Sequence, residues 1–86
     1  MPAQVTMYST RFCPYCMAAR NMLNGRNIQY EEIGVDGKPE LRREMIALSG
    51  RHTVPQIWIG DRHVGGFDDL RLLDSQGRLD KLLNAA

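Results

Sequence analysis

The stretch STRFCPYCMAAR, residues 9–20, contains both cysteines of the 86-residue chain, Cys13 and Cys16. Residues 4–9 alternate between apolar and polar or aromatic side chains, which predicts a short strand leading into this stretch. Pro14 suits the first turn of a helix, where its missing amide hydrogen is not needed. The sequence therefore predicts a strand, a short loop and a helix, with Cys13 at the helix N-terminus.

Apolar residues at helical spacing predict two helices in the first half of the chain. The inward stripe of the first helix consists of Cys16, Ala19, Met22 and Leu23, and the segment NGRN (residues 24–27) ends it. The second helix is predicted over Pro39–Ser49, with Gly50 just beyond its end. Its inward face is predicted to carry Leu41, Met45 and Leu48.

Strand patterns occupy the segments between these helices. Residues 28–35, IQYEEIGV, are extended, and QIWI (56–59), GD and RHV (62–64) predict a hairpin. Leucines on both sides of Gly77 predict one or two final helices. The order β-α-β-α-β-β-α(α) indicates the α/β class. A right-handed crossover makes the first two strands parallel, and the two-residue turn makes the last two antiparallel. We predict one domain over residues 1–86.

Composition and charge narrow the possible partners. The formal net charge is +1, and acidic and basic residues are interleaved, so no basic stripe indicates a nucleic-acid surface. No apolar segment reaches the length that crosses a bilayer, and the N-terminus lacks the pattern of a secretory signal. We therefore expect a cytoplasmic protein without nucleic-acid or membrane partners. Stable structural disulfides are uncommon in that compartment.

A structural zinc site is one interpretation of the cysteine pair. Such a site takes four Cys or His ligands, often as two closely spaced pairs. The chain offers one C-x-x-C pair and two well-separated histidines, His52 and His63, whose spacing is too wide for a familiar site. The sequence therefore favours redox chemistry over zinc, and we expect no metal.

The position of Cys13 favours a reactive thiol. Free N–H groups and the positive end of the helix dipole stabilise a thiolate at a helix N-terminus. Arg11 adds positive potential, as does Arg20 if it faces the pair. Cys16 lies one turn along on the inward stripe, which suits a less exposed resolving thiol, although a buried free cysteine is also an ordinary small core residue.

The motifs CPYC (13–16), TVPQIWI (53–59) and GGFDDL (65–70) together resemble the dithiol glutaredoxins, in matching order and spacing across essentially the whole chain. The resemblance is to the small bacterial members with a C-P-Y-C centre. It implies a thioredoxin-like fold with a four-stranded mixed sheet flanked by helices. It also implies a disulfide reductase that uses glutathione as co-substrate, and we expect the protein to be a monomer.

The resemblance assigns a glutathione site to two downstream motifs. It implies that Thr53, Val54 and Pro55 form a loop beside Cys13, with a cis peptide before the proline and Val54 pairing with the glutathione backbone. It further implies that N–H groups of Gly66, Phe67 and Asp68 bind the γ-glutamyl carboxylate and that the Asp68 side chain meets the ammonium group. From the residues alone, an N-cap is the commoner role for such an Asp, and one carboxylate can fill both roles.

Three further residues are assigned near the thiols. Tyr15 is expected to line the glutathione groove. Many members of the family carry a lysine three residues before the first cysteine, where this chain has Thr10, and Arg11 is the candidate to replace its charge. An arginine one position along a strand points to the opposite face, which leaves that assignment open. Gln56 is assigned to the glycine end of glutathione or to solvent.

The resemblance implies exchange by two routes, one through Cys13 alone on glutathionylated substrates and one through both cysteines on protein disulfides. One alternative is an electron donor reduced by thioredoxin reductase. Another is an iron–sulfur carrier whose cluster is bound by Cys13 and glutathione between two subunits. A third is a non-catalytic interaction domain, which leaves Cys13 unexplained.

Overall fold

The computed structural model of the protein describes residues 3–84, so the ends of the predicted domain lie outside the described part. The elements are β1 (Val5–Ser9), α1 (Pro14–Gly25), β2 (Tyr30–Gly34), α2 (Pro39–Ser49), β3 (Gln56–Ile59), β4 (Arg62–Gly65), α3 (Phe67–Ser75) and α4 (Leu79–Leu83). This order confirms the prediction, including two final helices on either side of Gly77. None of the helices formed by the described residues has the length and apolar character that crossing a membrane requires.

The four strands form one mixed sheet in the order β2-β1-β3-β4. β1 pairs with β2 in parallel and with β3 in antiparallel orientation. β3 and β4 are antiparallel and are joined by the turn at Gly60 and Asp61, where Gly60 has a φ of 60°. The predicted parallel first pair and antiparallel last pair are both confirmed.

Alternation along β1 divides the core between the two faces of the sheet. Val5 and Met7 face the main cluster, which also contains Ala19, Leu23, Ile57, Ile59, Leu70, Leu73 and Leu79. This face is covered by α1, α3 and α4. Tyr8 faces the opposite side, where Val35 and Met45 form a smaller cluster under α2. Because β1 contributes to both clusters, its C-terminal end and the loop that follows it are held from two sides.

One core prediction is wrong. Leu48 was expected on the inward face of α2, but it is 59% exposed. The smaller cluster contains Met45, and Leu41 and Ile46 of α2 pack against it, so it does not extend under the last turn of the helix. The helix ends directly afterwards, at Gly50 with a φ of 72°.

Truncating two leucines of different burial tests this division of the core. Leu23→Ala removes a side chain that is 0% exposed, and we expect a loss of about 2–5 kcal/mol in the free energy of unfolding. Leu48→Ala, which has the same chemistry at an exposed site, is expected to change it by less than about 0.5 kcal/mol. Denaturant unfolding measures both, and equal losses would contradict the packing described.

Candidate active site

Cys13 is the N-cap residue of α1, and Pro14 is the first helical residue. The Cys13 carbonyl accepts the N–H of Met17 at 3.0 Å, which closes the first helical turn. Both cysteines are free thiols, and they lie 3.6 Å apart. Cys13 is half-buried, whereas Cys16 is fully buried. The predicted arrangement of an accessible thiol at the helix start and a shielded thiol behind it is therefore present.

The environment of Cys16 disfavours its ionised form. Burial raises the pKa of the Cys16 thiol to about 11, while a hydrogen bond from the Thr10 backbone and the charge of Arg20 act in the opposite direction. Cys16 is therefore a thiol at neutral pH and must lose a proton before it can attack. Its position suits a reaction that follows the attack of the other thiol.

The loop before β3 lies against Cys13. The Val54–Pro55 peptide bond is cis, as the resemblance implied. The Cys13 thiol donates to the Val54 carbonyl oxygen, with 3.7 Å between sulfur and oxygen. Pro55 is buried and Thr53 is exposed. Two segments about forty residues apart in sequence thus form one surface.

A buried amide supports this loop from below. Gln56 is 0% exposed, so the interpretation of Gln56 as a solvent-facing residue is wrong. Its Nε2 donates to the Thr53 carbonyl at 3.0 Å, which directs Oε1 toward His63 Nε2, 2.7 Å away. Since Oε1 only accepts, His63 carries its proton on Nε2. Burial lowers the pKa of His63, which favours this neutral form.

Sequence reasoning gave His63 no role, although a signal was available. Gln56 begins a strand whose other members are apolar, and a buried polar side chain requires a hydrogen-bonding partner. The hairpin returns His63 opposite Trp58, and the two rings lie with centroids 4.8 Å apart. His63 is therefore the polar residue that the hairpin brings back toward Gln56.

At the start of α3, two roles predicted for the motif GGFDDL differ from the structure. The N-cap is Gly66, and its N–H donates to the Asp69 carboxylate at 2.9 Å. The Gly66 N–H is therefore not free, and Asp68 is not the capping residue. The third helical position is the one from which an acidic side chain reaches back to the N-cap N–H. Asp68 remains exposed, one residue before the one that caps.

The position of the Asp69 carboxylate also explains why residue 65 is a glycine. Gly65 has a φ of 119°, and a Cβ there would lie 2.3 Å from Asp69 Oδ2. The same oxygen pairs with Arg51 Nη1 at 3.2 Å, so Arg51 has a specific partner. A Cβ built at Gly66 would lie 3.5 Å from the Pro55 carbonyl oxygen, which makes the start of α3 a neighbour of the proline loop.

The other assigned residues surround this surface. The Arg11 backbone N–H donates to Asp36 at 3.1 Å, and the Arg11 guanidinium lies 5.7 Å from the centre of the Phe12 ring. Tyr15 is 61% exposed beside the thiols. Phe67 is partly buried, and its side chain packs against the main core. Arg11 and Tyr15 are thus accessible, and their ligand contacts stay predictions.

Metal ligands do not gather in the part of the chain that the structure describes. Across residues 3–84, no three His, Cys, Asp or Glu side chains come together as a metal-binding group. The zinc interpretation, which needs both cysteines and both histidines at one point, therefore has no geometric support there.

Comparisons with known proteins agree with this geometry. The glutaredoxin family model matches residues 5–64. The chain belongs to the glutaredoxin family. A glutaredoxin of Pseudomonas aeruginosa is 52% identical over 94% of this chain and 96% of its own length. Glutaredoxin 3 of Escherichia coli is 47% identical over 94% of this chain and 98% of its own length.

A solved structure extends the agreement to the fold. The solution structure of a glutaredoxin from Brucella melitensis is 46% identical, with a TM-score of 0.84, over 95% of this chain and 89% of that one. The predicted thioredoxin-like fold is confirmed. As a glutaredoxin, the protein is a thiol–disulfide oxidoreductase, which confirms the predicted class of activity.

Because Asp69 caps α3 as a carboxylate, part of the stability of this glutaredoxin is expected to be lost at low pH. The hydrogen bond from Gly66 and the pairing with Arg51 lower the pKa of Asp69 below its ordinary value of 3.8. A lowered folded-state pKa adds stability above the unfolded-state value, and this stability is lost as pH falls through the folded-state value. The side chain is 45% exposed, so we expect no more than about 1 kcal/mol.

Asp69→Asn tests this dependence by denaturant unfolding at several pH values. We expect the variant to be less stable than the unmodified protein at pH 7, with a difference that shrinks below about pH 4. Asp61→Asn, in the exposed β3–β4 turn, is the matched control and should show no such convergence. A difference that stays constant down to pH 2 would contradict the cap.

Proposed function

We propose that this glutaredoxin reduces glutathionylated substrates and protein disulfides with glutathione as reductant, with Cys13 as nucleophile and Cys16 as resolving thiol. The observation that carries the proposal is the contact between the half-buried Cys13 sulfur and the Val54 carbonyl, 3.7 Å apart. This contact joins the helix-start thiol to a backbone edge that suits a peptide. We further propose that the protein acts as a cytoplasmic monomer.

The backbone edge at Val54 fits the cysteinyl part of glutathione. An extended peptide is recognised by pairing its N–H and C=O groups with those of an exposed backbone segment. In the reduced protein the Val54 carbonyl accepts the Cys13 thiol proton. A thiolate or mixed disulfide at Cys13 has no proton to donate, so the carbonyl becomes available to an N–H of the bound peptide. Binding and reaction would thus use the same oxygen in turn.

The start of α3 fits the γ-glutamyl end. Phe67 and Asp68 occupy the first turn, where backbone N–H groups have no intrahelical partner and favour a carboxylate. Since Asp69 performs the capping, the exposed Asp68 carboxylate is left to meet the ammonium group. Because its N–H is already bonded to Asp69, Gly66 is not proposed as a donor to the ligand. Its missing side chain instead lets the ligand approach the backbone. Arg11, Tyr15 and Thr53 are proposed as further contacts.

The first proposed route uses one cysteine. The Cys13 thiolate attacks the glutathione sulfur of a glutathionylated substrate. The bond between that sulfur and the substrate breaks, and the substrate leaves as a thiolate that takes up a proton. A second glutathione thiolate then attacks the glutathione sulfur bound to Cys13. Oxidised glutathione forms, and the Cys13 thiolate returns.

The second proposed route uses both cysteines. The Cys13 thiolate opens a client disulfide and forms a mixed disulfide, releasing one client thiolate. Cys16 loses its proton to solvent and attacks the Cys13 sulfur, which forms the Cys13–Cys16 bond and expels the second client thiolate. Two glutathione molecules then reduce this bond and are oxidised to one glutathione disulfide. The burial of Cys16 suits a thiol that reacts only with a neighbouring sulfur.

The two routes predict an asymmetric pair of variants. Cys13→Ser is expected to abolish both reactions because it removes the nucleophile. Cys16→Ser is expected to retain deglutathionylation and to lose most of the reduction of protein disulfides. Both are measured by turnover coupled to glutathione reductase, with a small glutathionylated disulfide and a protein disulfide as substrates. Equal loss of deglutathionylation in the two variants would contradict the assigned roles.

The same assay separates the reductants. Turnover with glutathione and glutathione reductase, and little turnover with thioredoxin reductase, is the expected result. The reverse result would replace the proposal with the electron-donor alternative.

The Asp68 assignment predicts a change in the use of glutathione. Asp68→Asn removes the charge that is proposed to meet the γ-glutamyl ammonium group, and we expect the apparent KM for glutathione to rise about three- to tenfold. The control is Asp61→Asn, which removes an equal charge from the distant β3–β4 turn. A similar KM for both variants and the unmodified protein would contradict the assignment.

A further inference from the structure

Arg20 on α1 lies in a network of hydrogen bonds beside the active-site loop. Its Nε pairs with Glu32 of β2 at 2.7 Å, and its Nη2 donates to the Thr10 carbonyl at 2.8 Å. The Ser9 hydroxyl donates to the same Glu32 oxygen. The Arg20 side chain is only 21% exposed. It is therefore a partly buried cation held at the end of β1, and not a free surface charge.

Two observations connect this cation to Cys16. Arg20 and Cys16 are four residues apart on α1, so they lie on the same helical face, and long helical side chains extend back toward the helix N-terminus. Thr10 lies between them, because its carbonyl accepts from Arg20 and its backbone is among the influences that lower the pKa of Cys16. Arg20 thus holds the Thr10 carbonyl, in the loop that leads to the two cysteines.

We propose that Arg20 is a positioning residue for Cys16, which promotes the two-cysteine route by holding Thr10 and a positive charge beside the resolving sulfur. This inference rests on the proposed roles of the two cysteines. In this proposal, the loop before Cys13 and the first turns of α1 support the reaction of Cys16 and do not bind glutathione.

The proposal follows from where negative charge develops. When Cys16 attacks the mixed disulfide, its sulfur gives an electron pair to Cys13 and the client sulfur departs with the pair from the broken bond. When glutathione later attacks Cys13 in the intramolecular disulfide, Cys16 departs as a thiolate and takes up a proton. A nearby cation and an N–H donor stabilise the Cys16 sulfur in both steps.

The pKa of Cys16 agrees with this assignment. Burial raises it, and the Thr10 hydrogen bond and Arg20 are among the influences that lower it. The rates of thiol–disulfide exchange depend on the thiolate fraction of the attacking thiol and on the pKa of the leaving thiol. Loss of the cation therefore slows both the formation and the reduction of the Cys13–Cys16 bond.

The effect is expected on rates and not on the equilibrium between the two redox forms. Cys16 is a neutral thiol in the reduced protein at neutral pH and part of a neutral disulfide in the oxidised protein. Arg20 thus faces an uncharged Cys16 in both end states, and a charged one only during the exchange. A residue that merely supported the fold would not separate rate from equilibrium in this way.

The test compares Arg20→Met and Arg20→Lys with Arg26→Met. Arg26 follows α1 and pairs with Asp74 and Asp80, so its variant also removes one guanidinium and its ion pairs. The measurements are the stopped-flow rate at which glutathione reduces the Cys13–Cys16 bond, the rate of deglutathionylation, and the reduction potential in a glutathione redox buffer. Cys16→Ser in the two turnover assays reports on the proposed routes themselves.

For Arg20→Met we expect the ratio of the bond-reduction rate to the deglutathionylation rate to fall about three- to tenfold, because the departing Cys16 thiolate loses its nearby cation. Arg20→Lys keeps the charge and should restore most of the ratio. Arg26→Met should leave the ratio within twofold of the unmodified protein. All three should keep the reduction potential nearly unchanged.

An unchanged ratio in Arg20→Met, a ratio that Arg20→Lys does not restore, or an equal fall in Arg26→Met would overturn the inference. If Arg20→Met does not fold, Arg20→Gln, which retains a donor without the charge, replaces it under the same criteria. If Cys16→Ser reduces protein disulfides normally, the proposed function itself fails. An Arg20 variant that behaves like the unmodified protein would overturn only the role of Arg20.

Discussion

The antiparallel pairing of β1 with β3 places the two parts of the active site next to each other. Tyr8, near the end of β1, pairs with Gln56, at the start of β3. The chain leaving β1 therefore reaches Cys13 at the same edge of the sheet at which the proline loop enters β3. The 3.7 Å contact between Cys13 and Val54 depends on this register. A shift by one residue would turn Gln56 away from its buried partners.

The elements of the fold could be predicted because their signals are local. Pro39 and Gly50 bracket α2, and the two-residue turn at Gly60 defines the hairpin. The central position of β1 in the sheet has no such local signal, because it depends on which strands bury their apolar faces together. The resemblance implied a four-stranded mixed sheet, and the position of β1 within it became known from the structure. The exposure of Leu48 was missed because helical spacing does not tell how far the cluster beneath α2 extends.

In the site, the reactive residues were predictable and their supporting residues were less so. Cys13 and Cys16 stand out by their chemistry and by Pro14 between them. Asp69 differs from Asp68 by one position, and the choice between them depends on where α3 begins. The buried Gln56 and its His63 partner emerge only when the hairpin is folded. Short-range motifs thus identify the reactive cysteines, whereas the residues that support the site depend on three-dimensional packing.

The neighbours of the two thiols come from different parts of the chain. Cys13 is contacted by the loop that Gln56 supports, whereas Cys16 is linked to Thr10 and Arg20. Each sulfur therefore has supporting residues of its own that can vary during evolution. Such separation would let one scaffold shift between one-thiol and two-thiol chemistry without rebuilding its core.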